Sequence, residues 1–297
     1  MNKVMSDKKA IMVFVIPALL LFTGAVLIPM FMSIYYSLLR WDGIREPTFV
    51  NIQNYIRLFY NNTDGFPRSM WHATVNALLS LFVQLPLALI FALLLARGIK
   101  GEGFFRTVFF IPVTISGAAI AQLWMRIYHP QYGVLNTVLE SIGLDFLTRA
   151  WLGDVNTVLI AVFVPGVWQF IGYHMLIMYA GAKSIPDEIL EAAKIDGATD
   201  LKTAFKITIP LMMPAIRVCI ILAIIGALRI FDMVFVLTGG GPGGASEVTS
   251  TLMFNTIFRR NQYGYGSSMA IVIVIQCLIL TLIIRRLLRR VDDISYS

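Results

Sequence analysis

Five stretches of this chain contain no Asp, Glu, Lys or Arg: between Lys9 and Arg40, Arg68 and Arg97, Arg106 and Arg126, Asp154 and Lys183, and Arg260 and Arg285. Crossing the hydrocarbon of a bilayer takes about 20 apolar residues, and because lipid cannot pair backbone N–H and C=O groups, such runs cross as helices. A sixth run, from about Arg217 to Leu237, is equally apolar but carries Arg229 and Asp232. The predicted spans lie at about 10–36, 70–96, 105–127, 155–181, 212–237 and 264–287, so residues 1–297 read as one all-α integral membrane domain with six transmembrane helices. Composition agrees. Charged residues make up 14% and hydrophobic residues 58%, with a mean hydropathy of +0.76. That balance excludes a disordered chain, a collagen-like fibre and an ordinary soluble enzyme. The first run is longer than a secretory h-region and no A-x-A site follows it, so it is expected to remain as a helix.

The net charge of +7 raises the question of nucleic acid. The placement of the charges answers it. Lys3, Lys8, Lys9, Arg97, Lys100, Arg106, Lys183, Lys194, Lys202, Lys206, Arg217, Arg285, Arg286, Arg289 and Arg290 fall on one side of the six spans, fifteen against eight on the other (Arg40, Arg45, Arg57, Arg68, Arg126, Arg149, Arg259 and Arg260). Basic residues beside a span resist translocation, so both termini are expected in the cytoplasm, and no basic stripe remains for nucleic acid. Cys219 and Cys277 lie in spans and form no metal or disulfide spacing, and His72, His129 and His174 are far apart; packing or interfacial roles are expected for all five.

Outside the membrane, Ile52, Tyr55, Ile56 and Phe59 recur at helical spacing and predict a short interfacial helix. Thr238-Gly239-Gly240-Gly241-Pro242-Gly243-Gly244 lacks the Gly-Lys-Ser/Thr of a phosphate loop and reads as a mobile turn after a helix. The inner segment between the fourth and fifth spans, about 184–210, is patterned as a helical hairpin. Ser184 is placed to cap a first helix that opens with Pro186, Asp187 and Glu188; Gly197 stops it; Thr199 or Asp200 caps a second that runs until Pro210 interrupts it. Ile185, Ile189, Ala192 and Ala193 share one apolar, small-residue face. That face either meets a partner or folds back on the chain's own spans.

Glu191-Ala192-Ala193, three residues, Gly197, nine residues, Ile207, one residue, then Ile209-Pro210 resembles the EAA loop of membrane permeases of binding-protein-dependent ABC importers, E-A-A-x3-G-x9-I-x-L-P. Ile209 for leucine is the one departure. Ile185-Pro186-Asp187-Glu188, Ile195-Asp196-Gly197-Ala198, Phe231-Asp232, Thr238 to Pro242, and the outer Asn54-Tyr55 and Leu58-Phe59 resemble the carbohydrate-importing branch, of the MalF or UgpA type. The resemblance implies a multi-pass bacterial inner-membrane subunit with no catalytic residues, paired with a second, MalG-like permease. A cytoplasmic ABC ATPase carrying the ATP and Mg, and an extracellular solute-binding protein, complete the assembly, so no cofactor is expected on this chain. It also implies that the first inner-loop helix is a coupling helix, with Glu191, Ala192, Ala193, Asp196, Gly197, Ile207 and Pro210 carried over as its contact and turn residues.

Trp168, Gln169 and Tyr173 in the fourth span offer a sugar ring an aromatic face and an amide, and Arg229 and Asp232, three apart in the fifth, either lock to each other or touch solute. Asn76, Gln84, Gln122 and Gln276 read as glue between helices. A phosphorylated polyol is the runner-up solute. A stand-alone secondary transporter lacks an inverted repeat here, and a membrane enzyme lacks a convergent catalytic set.

Overall fold

The computed structural model describes residues 8–61 and 64–295, with side chains for 12–60 and 64–286. Lys3 and the side chains of Lys8, Lys9, Arg289 and Arg290, which enter the charge bias, lie outside the described residues. The chain divides into two units, Met1–Asp64 with Met253–Val274, and Gly65–Leu252 with Ile275–Ser297.

In the first unit the span Met12–Ser37 has none of its apolar window buried. Its end is tied down by Asn54, whose Nδ2 donates to the Ser37 and Leu39 carbonyls at 2.8 Å each, and by a 2.7 Å bond from the Tyr55 hydroxyl to Ser37 Oγ. Leu39–Arg40 and Thr48–Phe49 form a two-stranded antiparallel ladder, Leu39 opposite Phe49. At its tip Asp42 Oδ1 accepts the Ile44 and Arg45 N–H groups, and Gly43 sits at φ +86°, its face against the Tyr263 ring. The helical turn Gln53–Ile56 passes into a wide turn at Arg57–Asn61. Tyr263 opens the last helix, where Gly264 lies so close to the Leu39 carbonyl that any Cβ would overlap it.

In the second unit the spans Phe66–Ala96, Val158–Lys183 and Met213–Leu237 pack through small residues and methionines: Ala73, Ala77, Ala88, Ala92, Met175, Met178, Ala223 and Ala227 are buried together. Apolar tails attract nothing more than lipid does, so close backbone approach carries such contacts. Gly172 meets the Phe109 carbonyl, and a Cβ on Gly181 would stand 2.7 Å from that of Ala215. The predicted third span is a pair of helices, Glu102–Thr114 and Gly117–Ile127, bent by 98°. Ile115 and Ser116 are extended, and the Ser116 hydroxyl caps the second helix by accepting the Ala119 N–H at 3.3 Å. The fifth span is interrupted at Arg229–Phe231, between Met213–Leu228 and Asp232–Leu237.

Three prolines, Pro29, Pro86 and Pro210, are passed in the same way, unlike Pro17, Pro112 and Pro165, which lie within α-helices. The wide turns Thr23–Leu27, Ser80–Gln84 and Ala204–Thr208 each close with an N–H bonded five residues back, from Ile28, Leu85 and Ile209, and the next residue is Pro29, Pro86 or Pro210. A helical proline lacks a donor and crowds the carbonyl four residues before it; a turn one residue wider moves that carbonyl away. Pro210, expected to end the second inner-loop helix, is therefore carried through, and the break falls at Met212.

Candidate functional site

A cavity of about 570 Å³ opens where the two interrupted helices meet the second and fourth spans. Broken backbone inside a membrane protein must find partners, and here the second and fourth spans and the short helix Thr249–Phe254 supply them. Gln169 Nε2 donates at the bend to the carbonyl of Ile115 at 2.9 Å and to that of Pro112 at 3.2 Å, which also accepts the Ile115 N–H at 3.3 Å. Asn76 Nδ2 donates to the Ala227 carbonyl at 3.0 Å, and the Ser250 hydroxyl donates to that of Ile230, both at the fifth-span break. Gln169 thus holds the bend with the amide that the sequence assigns to solute, while its neighbours on the same helical face, Gly166, Phe170 and Tyr173, line the cavity. Trp168 does not. One residue along a helix turns it about 100° away, where it is 40% exposed and meets the Trp124 ring edge-on at 5.9 Å.

Arg229 and Asp232 both line the cavity, but they stand on opposite sides of the helix break and form no ion pair among the described residues. The reading of a lock between them assumed a continuous helix. Asp232 instead lies at the first residue of its own short helix and against Gly117, the first residue of Gly117–Ile127, where a Cβ would stand 2.9 Å from Oδ2. Helix N-termini favour a carboxylate. The cavity therefore presents a guanidinium and a carboxylate that do not neutralise each other, beside Tyr173. His174, 3% exposed and edge-on to Tyr173, is a further wall residue, and its Nδ1 has no hydrogen-bond partner among the described residues. Its place one residue beyond Tyr173 on the cavity face was the available signal.

The inner hairpin forms a second feature. Its first helix is Asp187–Ile195, with Pro186 at the cap position. Ser184 does not cap it; that hydroxyl ends the fourth span by donating to the Gly181 carbonyl at 2.8 Å. Gly197, at φ +74°, closes the helix with its own N–H on the Lys194 carbonyl and that of Ala198 on the Ala193 carbonyl. Thr199 Oγ1 accepts the Lys202 N–H and starts the next helix. The shared apolar face divides: Ile185 and Ala193 are buried, whereas Ile189 and Ala192 are exposed, because the arc is wider than the contact. Glu191 lines a groove of about 430 Å³ beneath the hairpin, and Asp200 bonds Arg97 of the second span at 3.2 Å. Asp196 and Pro210 are exposed and Ile207 is half-buried. The glycine run is not a loose turn: Thr238 and Ser246 hydroxyls bond at 2.8 Å, and Ser246 donates to the Gly241 carbonyl at 2.6 Å.

Several apolar helices around a largely apolar cavity that holds a few polar groups define a multi-pass membrane protein. The chain belongs to the family described as binding-protein-dependent transport system inner membrane component, whose model matches residues 84–293, and within it to the permease subunits of sugar ABC importers. It is 39% identical to the probable ABC transporter permease protein YurN of Bacillus subtilis, over 91% of this chain and 92% of that one. It is 35% identical to the multiple sugar-binding transport system permease protein MsmF of Streptococcus mutans, over 83% and 84%. These relatives are transport components, not enzymes. The fold is that of a chain in the crystal structure of a bacterial alginate ABC transporter in complex with an alginate pentasaccharide-bound periplasmic protein, with a TM-score of 0.82, 21% identity and coverage of 94% and 93%.

Proposed function

We propose that this subunit conducts a sugar or oligosaccharide inward through the cavity around Tyr173, Arg229 and Asp232, and that a cytoplasmic ATPase docked on the hairpin 184–210 opens and closes it. In this reading both termini are cytoplasmic. A second permease completes the pathway, an extracellular solute-binding protein delivers the solute, and ATP and Mg reside on the ATPase. One observation carries the coupling: the hairpin, stiffened by its Gly197 stop and Thr199 cap, leaves Ile195, Leu201 and Phe205 86%, 69% and 69% exposed. Large apolar residues grouped on a rigid element mark a protein contact. ATPase closure displaces such an element as a body, and its attachment to the second and fourth spans transmits the movement. For the solute, separated opposite charges beside an aromatic ring suit hydroxyls, which both donate and accept. A single guanidinium beside a carboxylate does not favour a phosphorylated polyol.

Gly197→Val tests the coupling. A β-branched residue in the left-handed region costs about 1–2 kcal/mol and distorts the hairpin, not the spans. The variant is expected to insert at wild-type levels and to lose most solute-stimulated ATPase activity of the reconstituted importer. Full stimulation would remove the hairpin from the mechanism.

A further inference from the structure

A second cavity, of about 760 Å³, lies wholly within the first unit, between the end of the first span and the start of the last helix. We propose that it is a binding site for a neutral oligosaccharide, separate from the membrane cavity. The choice of ligand rests on the sugar-permease reading; the site rests on its own geometry.

Its size lies within the roughly 300–1,000 Å³ of small-molecule sites. The lining is of mixed sign and rich in planar polar groups: Arg40, Arg45, Glu46, Gln53, Asn261 and Gln262. Carboxylates argue against an anion, guanidinium groups against a metal ion, and the polar rim against a lipid tail. Vicinal hydroxyls, each both donor and acceptor, match side chains that offer paired donors or donor and acceptor together. The Arg40 and Gln53 side chains hold no part of the fold among the described residues, so their hydrogen-bonding capacity is uncommitted.

The walls, by contrast, are fixed. Asn54 clamps the backbone behind the pocket, as described above. Arg57 is held on three sides: by Asp64 at 2.9 Å, by Gln262 Oε1 at 3.0 Å, and over the Tyr265 ring at 3.9 Å. Trp41 supplies a rigid aromatic surface for the C–H face of a sugar, its ring meeting those of Tyr36 at 4.9 Å and Tyr263 at 5.7 Å. A preformed wall with uncommitted polar groups along its rim is a binding arrangement, since little ordering entropy remains to be lost when ligand arrives.

The test uses the full chain in nanodiscs with its sibling permease and ATPase, probed with maltotriose and raffinose by saturation-transfer NMR. At least one sugar is expected to give a signal that persists in Asp232→Asn and weakens about tenfold in affinity in Arg45→Ala/Gln53→Ala, whose exposed side chains are not needed for folding. Benzoylphenylalanine in place of Gln53 should then give, on irradiation, an adduct with the mass of the sugar. No signal, a signal unchanged in the double variant, or irradiation that gives no adduct of the sugar's mass would each overturn the site. ATP-driven uptake of the same sugars into proteoliposomes separates the two readings: uptake without the pocket signal removes the pocket alone, and the pocket signal without uptake of any sugar removes the permease reading.

Discussion

Asp232 and Asp64 show how differently a carboxylate is stabilised inside and outside the membrane. Asp232 depends on the close approach of Gly117, so Gly117→Ala is expected to push the carboxylate aside, lowering both the melting temperature and transport. Most of that thermal loss should vanish in an Asp232→Ala background, because the nearest atom, Oδ2, is gone and only Cβ at 3.2 Å remains; an equal loss in both backgrounds would show that the carboxylate contact is irrelevant. Asp64 is bridged by Arg57 at 2.9 Å and Arg260 at 2.7 Å. Burial pushes its carboxyl up, but the Arg57 charge and hydrogen bond, with the Arg260 charge, outweigh that and hold it below the ordinary 3.8. A carboxyl depressed in the folded state contributes stability above its unfolded value, and that contribution is lost as pH falls through the folded one. Once divided by the intrinsic rate at each pH, amide exchange around residues 57–60 and 260–262 should therefore stay constant from pH 8 to 5 and accelerate only below about 4. Asp64→Asn should be fast throughout that range. Wild-type acceleration already at pH 6 would place the control elsewhere.

At the scale of the element, the hairpin was more legible than the spans around the cavity. Its stop and second cap are chemical signatures, a glycine at a left-handed position and a threonine hydroxyl over an open N–H, and both can be read locally. The 98° bend was not legible because the run from Arg106 to Arg126 is uncharged throughout, as a continuous span would be, and Pro112, Ser116 and Gly117 are each tolerated in membrane helices. Only the Ser116 cap and the distant Gln169 reveal it. For the same reason Gln169 was assigned to solute: the carbonyls that occupy it belong to a helix whose break the sequence hides. Gln169→Leu removes the side-chain donor to the Ile115 carbonyl, while that of Pro112 keeps only the Ile115 N–H at 3.3 Å, at a cost of about 1–3 kcal/mol. It is expected to melt lower in detergent; melting with the wild type would mean that the bend is held by other contacts.

At the scale of the whole molecule, four of the five charge-free runs located long helices, because a helix satisfies its own backbone groups in lipid; the run between Arg106 and Arg126 holds the bent pair. Handedness across the membrane is a different property: it depends on the distribution of fifteen and eight basic residues, not on any contact. Ile44 and Ile195, both highly exposed at 89% and 86%, lie on opposite sides in this reading. Ile44→Cys should react with an impermeant maleimide in intact cells, and Ile195→Cys only once the membrane is opened; the reverse pattern would invert the topology. The native Cys219 and Cys277 lie within spans and give little background.

Three times the chain spends one surplus residue just ahead of a proline. A wide turn is where the ladder of a membrane helix already skips a rung, so the halves on either side can swing against each other without surrendering another backbone bond to lipid. Ser80–Gln84 sits midway along Phe66–Ala96, and Ala204–Thr208 sits where the hairpin runs towards the fifth span. In the proposed mechanism both turns fall where a bending load would reach the spans, one inside the second span and one at the far end of the hairpin, where a straight rod would have to break.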